Sequence, residues 1–142
     1  MSTRSVTIVL TKDLKPIVTM YRHNKSNPMD GEPRWQGREL LDFFEHCELG
    51  GGLGKKTMGT YANGMPDLAA QLVAHFKTEV GGIYLIEAGE DADQSYTYTL
   101  YPVKDTDQDF LWLSVVEHYP DKTLYNGPIS EARSAGIFDL EK

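Results

Sequence analysis

This chain has a single cysteine, Cys47, and therefore no partner for an intramolecular disulfide. Nothing in its cysteine usage points to an oxidising compartment. It has no apolar run approaching the ~20 residues of a membrane span. Its opening, MSTRSVTIVLTKD, alternates where a signal peptide would run solid. An intracellular, soluble protein with no membrane attachment is expected. Basic residues are also scarce: 14 Lys and Arg face 21 Asp and Glu, a net charge of −7. Phosphate neutralisation needs clustered Lys and Arg, so direct DNA binding is not expected. His23, His46, His75 and His118 form no i, i+4 pair, and no Cys-x-x-Cys accompanies them; a zinc site is improbable on that spacing. There is no G-x-S-x-G elbow. No catalytic residue, metal or cofactor is expected.

What is present is the composition of an ordinary globular chain. Its 142 residues are 40% hydrophobic and 25% charged, enough for one domain over 1–142 with a single core. The charge is uneven: residues 1–56 carry a net of +2 and residues 57–142 a net of −9.

Hydrophobic periodicity places the elements. Val6, Ile8 and Leu10 alternate with Ser5, Thr7 and Val9, a strand whose first set reads as its apolar face. Asp13-Leu14-Lys15-Pro16 makes a turn, and Ile17 to Tyr21 resumes in β-branched and aromatic residues, predicting an antiparallel hairpin. From Trp35 the period changes. Leu40, Leu41, Phe44 and Cys47 fall at helical spacing, opposite Arg38, Glu39, Asp42 and Glu45. Residues 24–34 and 50–64 read as flexible loops, the second ending the helix at Gly50-Gly51-Gly52. Pro66 suits a first helical position, and Leu68, Ala69, Leu72, Val73 and Phe76 then form a continuous stripe. Gln71 falls on the far side of that helix. Strands follow over Ile83–Glu87, Ser95–Tyr101 and Phe110–Val116, with a weaker one near Leu124. Ser130 reads as the cap of a short helix in a tail over 128–142. The expected class is α+β: an antiparallel sheet of about five to six strands, two helices on one face, order ββααβββ(β).

A resemblance can be stated on particular motifs. TRSVT at the start, Tyr21-Arg22-His23, DGEPRWQGREL at Asp30–Leu40, Asn63-Gly64-Met65, Leu68–Lys77, Gly81–Leu85 and Tyr96–Tyr98 resemble a family of small uncharacterised phage and bacterial proteins. Its members read TRS, an aromatic-centred His, DGYPxxHGxEL, an NGM-type turn, LAAQLIAHFK, GGxYL and a tyrosine-rich strand. This chain departs from that pattern at Asn24–Met29, an insertion, at Glu32 in place of Tyr and at Gln36 in place of His. The resemblance implies a phage or mobile-element setting, hence the cytoplasm of a bacterial host, and no mechanism.

Three constellations bear on function. Leu49 to Thr57 is Gly-rich and ends in Lys55, Lys56 and Thr57, yet a phosphate loop would need Gly where Leu49 stands and Ser or Thr where Lys56 stands; a linker explains it better. Asp105, Asp107 and Asp109 open like a calcium loop but lack the following Gly. Arg22, His23, Arg34, Trp35 and Arg38, with Lys55 and Lys56, bring cations and an aromatic toward one end of the first helix. They are the candidate ligand-binding set, for an anionic or planar molecule; a salt-bridged surface with Glu32, Glu39 and Asp42 is the plainer reading. Glu87, Glu90, Asp91, Asp93, Asp105, Asp107 and Asp109 are the candidate protein-binding set, able to steer a basic partner. The leading expectation is a non-enzymatic accessory that binds a host protein or complex, as a stoichiometric inhibitor of a defence system. The alternatives are a nucleotide or cyclic-nucleotide binder or weak hydrolase, and a homodimer built on Tyr84, Tyr96, Tyr98, Tyr101 and Trp112.

Overall fold

The computed structural model describes residues 3–24, 35–50, 57–105, 108–118 and 120–136. Strands β1 (Thr3–Leu10) and β2 (Pro16–Asn24) form the expected hairpin. Helix α1 (Trp35–Phe44) follows, then short strands β3 (Glu48–Leu49) and β4 (Tyr61–Ala62), helix α2 (Gly64–Phe76), and strands β5 (Ile83–Leu85), β6 (Tyr96–Asp105), β7 (Gln108–Glu117) and β8 (Lys122–Pro128). The main sheet has six strands in the order β5-β2-β1-β6-β7-β8. The α+β class stands. One pair departs from the antiparallel expectation: β1 and β6 run parallel at the centre, Ser5 opposite Tyr96 and Thr7 opposite Tyr98.

Both helices close over one face of this sheet. Leu40, Leu41 and Phe44 of α1 and Met65, Leu68, Ala69 and Leu72 of α2 share a core with Val9, Met20, Tyr98, Leu100, Leu113 and Val115. Each Leu, Val, Met or Phe among them contributes about 1.5–3 kcal/mol on full burial. The face of β1 that meets this core is the reverse of the expected one. Register sets Ser5 against Arg22, Thr7 against Met20 and Val9 against Val18, so Ser5, Thr7 and Val9 lie toward the helices, and Val6, Ile8 and Leu10 lie away. The reason is that β1 is central and covered on both sides, so its own alternation does not decide which face is inner. The 86–95 segment begins with Ile86 N–H bonded to Thr19 and ends with Ser95 N–H bonded to Arg4, crossing the outer face and leaving Val6 only 2% exposed.

The local departures have equally plain causes. The stretch expected as loop from 50 to 64 contains β4, which pairs in parallel with β3. Gly59 beside it takes φ +87°, and a Cβ there would meet the Phe43 carbonyl at 2.8 Å, so only glycine fits. Helix α1 stops at Phe44, before the triple glycine. Helix α2 begins at Gly64, with Pro66 inside its first turn, and Asp67 Oδ2 accepts from the Asn63 N–H at 2.8 Å. Ser130 caps no helix: the tail forms two 3-10 turns, Ile129–Glu131 and Arg133–Ala135, the first entered from Pro128.

Candidate functional site

The triplet Tyr21-Arg22-His23 sits near the end of β2, the strand next to the β5 edge, where successive side chains point to opposite faces. Arg22 goes under the helices. Tyr21 and His23 go to the outer face, where the Tyr21 ring lies 6.1 Å from both His23 and Tyr84. The sheet thus divides the candidate ligand set, and Arg22 and His23 cannot grip one small molecule together. Arg38 is half-buried on α1. Arg34, Lys55, Lys56 and the Trp35 side chain lie outside the described residues.

Arg22 is the centre of what remains. It is 5% exposed; its Nη2 donates to Glu39 Oε1, its Nη1 donates to the Gln36 carbonyl at 3.5 Å, and its guanidinium lies 4.5 Å over the Phe76 ring. A buried guanidinium is tolerable only with such partners. The fold joins Arg22, Gln36 and Glu39, from one strand and one helix, in one cluster. The cluster is incompletely satisfied. Gln36 is 1% exposed, and neither of its amide atoms has a hydrogen-bond partner; the same holds for Ser5 Oγ, Thr7 Oγ1 and Arg22 Nε. Each buried unpaired group costs about 1–3 kcal/mol, and such exceptions mark places where water or a ligand belongs.

Arg22 and Glu39 open onto a cleft of about 490 Å³, lined also by Asp42, His75, Phe76 and Glu79. The size suits a small molecule. The charge does not suit a phosphate: Arg22 is already engaged by Glu39, and two further carboxylates line the wall. Of these, Asp42 is held by Arg133 Nη2 at 2.8 Å. Arg133 also meets Glu45 and is thereby held more firmly in its charged form. His75 stacks on Phe43 with centroids 3.8 Å apart. Cys47 offers no nucleophile, because burial, with Asp67 and Glu48 adding to it, pushes its thiol up to about 11.

The acidic set is also divided. Glu87, Glu90, Asp91 and Asp93 are exposed on the 86–95 segment, with Asp93 3.3 Å from Arg4. Asp105 and Asp109 sit at the β6–β7 hairpin, at the other end of β6, about 33 Å away for a ten-residue strand. Asp107 lies outside the described residues. Beside the first group runs β5, an edge strand of the sheet. Tyr84 and Leu85 on it, and Val80 in the turn before it, are exposed apolar side chains. Lys77 Nζ donates to the Gly81 and Ile83 carbonyls at 3.1 and 3.0 Å, covering part of the free edge, as lysines at sheet edges do. Periodicity flagged neither the Gln36–Glu39 grip on Arg22 nor this edge; the Arg in one strand and the Glu in a helix 17 residues on carried no joint signal.

Comparison of the chain with protein-family models, curated proteins and solved structures finds no match.

Proposed function

We propose that this protein is an accessory of a phage or mobile element that works by occupying a host macromolecule, as a stoichiometric inhibitor of a host defence system. The phage setting rests on the motif resemblance. The binding mode rests on one observation: the edge strand β5 exposes Leu85 on its helix-side face and Tyr84 on the other, with Val80 in the turn before it and the carboxylates of Glu87 and Glu90 after it. Apolar side chains grouped at an open edge and rimmed by polar groups mark interaction surfaces, and aromatic anchors dominate binding energies. The carboxylates select a partner with a basic surface and speed its approach.

The experiment uses immobilised full-length protein to recover a partner from bacterial lysate, followed by binding kinetics with that purified partner. Leu85→Asp should raise the dissociation rate at least tenfold. Glu87→Lys with Glu90→Lys should slow association and flatten its dependence on salt. Recovery of no partner, or a partner indifferent to both variants, defeats the proposal.

A further inference from the structure

On the face of the sheet away from the helices, Thr97 joins His118 and Asp121, which lie 21 or more residues further on, in a hydrogen-bonded chain. Thr97 Oγ1 lies 2.7 Å from His118 Nε2, and His118 Nδ1 lies 2.7 Å from Asp121 Oδ1. The β6–β7 pairing builds it. Tyr96 opposes Glu117, and the His118 N–H donates to the Ser95 carbonyl at 2.9 Å, which sets the imidazole beside Thr97. Asp121, three residues on in the turn, reaches back to the other ring nitrogen. The His118 side chain is 19% exposed and that of Asp121 78%.

The direction of the protons follows from the partners. A carboxylate only accepts, so Nδ1 carries a hydrogen, and in the tautomer with no second hydrogen Nε2 is an acceptor. Gln94 Nε2 donates to Thr97 Oγ1 at 3.2 Å, while Gln94 Oε1 accepts from the Ala92 N–H at 3.2 Å, which fixes the amide's orientation. Thr97 accepts from Gln94, and in that tautomer gives its own proton toward His118. A hydroxyl held by an imidazole that a carboxylate orients is the arrangement that makes an alcohol nucleophilic. Thr97 lines a cleft of about 390 Å³ together with aliphatic Ile8, the nearly covered Val6, and the carboxylates Glu90 and Asp91.

We propose that this cleft is an acyl-transfer site in which Thr97 attacks small carboxylic esters of cationic alcohols. The aliphatic wall takes the acyl group, and the two carboxylates take the cationic alcohol. Thr97 Oγ1 forms a bond to the ester carbonyl carbon as its proton passes to His118 Nε2. The Gln94 amide, whose Nε2 lies 3.2 Å from Thr97 Oγ1, has a second N–H to offer the developing oxyanion. The carbon–oxygen bond to the alcohol breaks, and His118 returns the proton to the departing oxygen. Water, deprotonated by His118, then releases the carboxylic acid and restores Thr97. Asp121 is a positioning residue that keeps the imidazole in the accepting tautomer.

The test incubates the protein with acetylthiocholine, the thioester counterpart of such an ester in which the carbonyl carbon–sulfur bond breaks, and, separately, with p-nitrophenyl acetate, following release of thiol or nitrophenol and mapping acetylated peptides by mass spectrometry. The acetyl group is expected on Thr97 in the wild type, absent in Thr97→Val and His118→Ala, and restored in Thr97→Ser. Asp121→Asn should lower kcat about a hundredfold with KM unchanged, a split that a structural role for Asp121 would not produce. Glu90→Gln with Asp91→Asn should raise KM more for acetylthiocholine than for p-nitrophenyl acetate. An equal rise removes the cationic substrate class. An acetyl group found only at other residues, or release undiminished in Thr97→Val, leaves a structural network and overturns the site. Peptide mapping of the wild type decides this even if a variant fails to fold.

Discussion

At the scale of single residues, Gln71 reverses its expected role. Helical spacing puts it opposite the apolar stripe of α2, where alanine should be tolerated. In the structure it is 7% exposed. Its Oε1 accepts from the Gly59 N–H at 2.8 Å, and its Nε2 donates to the Tyr61 carbonyl at 2.9 Å and to Asp67 at 3.2 Å. The side chain supplies backbone partners to the turn before β4, which packs along what would otherwise be the solvent side of the helix. Gln71→Ala removes the acceptor of the buried Gly59 N–H and the donor to the half-buried Tyr61 carbonyl. Denaturant melts should register a loss of about 1–3 kcal/mol. Ala74→Gln, at an exposed position of the same helix, should stay within about ±0.5 kcal/mol. Equal values for the two would mean that Gln71 makes no such bridge.

At the scale of elements, α2 is the piece whose burial pattern follows its sequence most closely. Leu68 and Leu72 are fully buried, Ala69 nearly so, and Val73 and Phe76 flank them. Leu72→Ala should cost about 2–5 kcal/mol, combining lost transfer energy with the cavity left against the sheet. A loss under about 1 kcal/mol in the same melts would contradict the packing of α2 on β1 and β2. Strand β1 teaches the opposite lesson. Its two faces, Val6-Ile8 and Ser5-Thr7-Val9, are both covered, so alternation alone cannot orient it, and the neighbours Met20, Tyr98 and Leu100 do. The cost is two hydroxyls, Ser5 Oγ and Thr7 Oγ1, buried without partners.

At the scale of the whole molecule, the sheet acts as a partition. It sends Tyr96 and Tyr98 into the core and leaves Tyr84, Tyr101 and Trp112 on the outer face. Tyr101 and Trp112 both donate to Asn126 Oδ1, at 2.8 and 3.0 Å. The aromatic band considered for a homodimer loses its two most buried members and has its polar ends already engaged. Light scattering from micromolar to millimolar concentration should therefore give the mass of one chain, 16.0 kDa. A concentration-dependent rise toward twice that mass would restore the dimer. The same partition separates Arg22 from His23, and the length of β6 separates Asp93 from Asp105.

The sequence by itself determined the elements and their class. Period-2 and period-3.6 patterns located both helices and all the longer strands, because local backbone geometry and a buried stripe leave a local trace. It also marked Arg22 and the acidic 87–93 run as chemically distinctive. Only the tertiary structure decided which faces meet. The parallel pairing of β1 with β6 joins residues about ninety positions apart, and no local pattern encodes it. The grip of Glu39 on Arg22, the bridge made by Gln71 and the Thr97–His118–Asp121 chain arise in the same way. Each is a polar contact between elements whose spacing in sequence is arbitrary, fixed by strand register and by the demand that buried polar groups find partners.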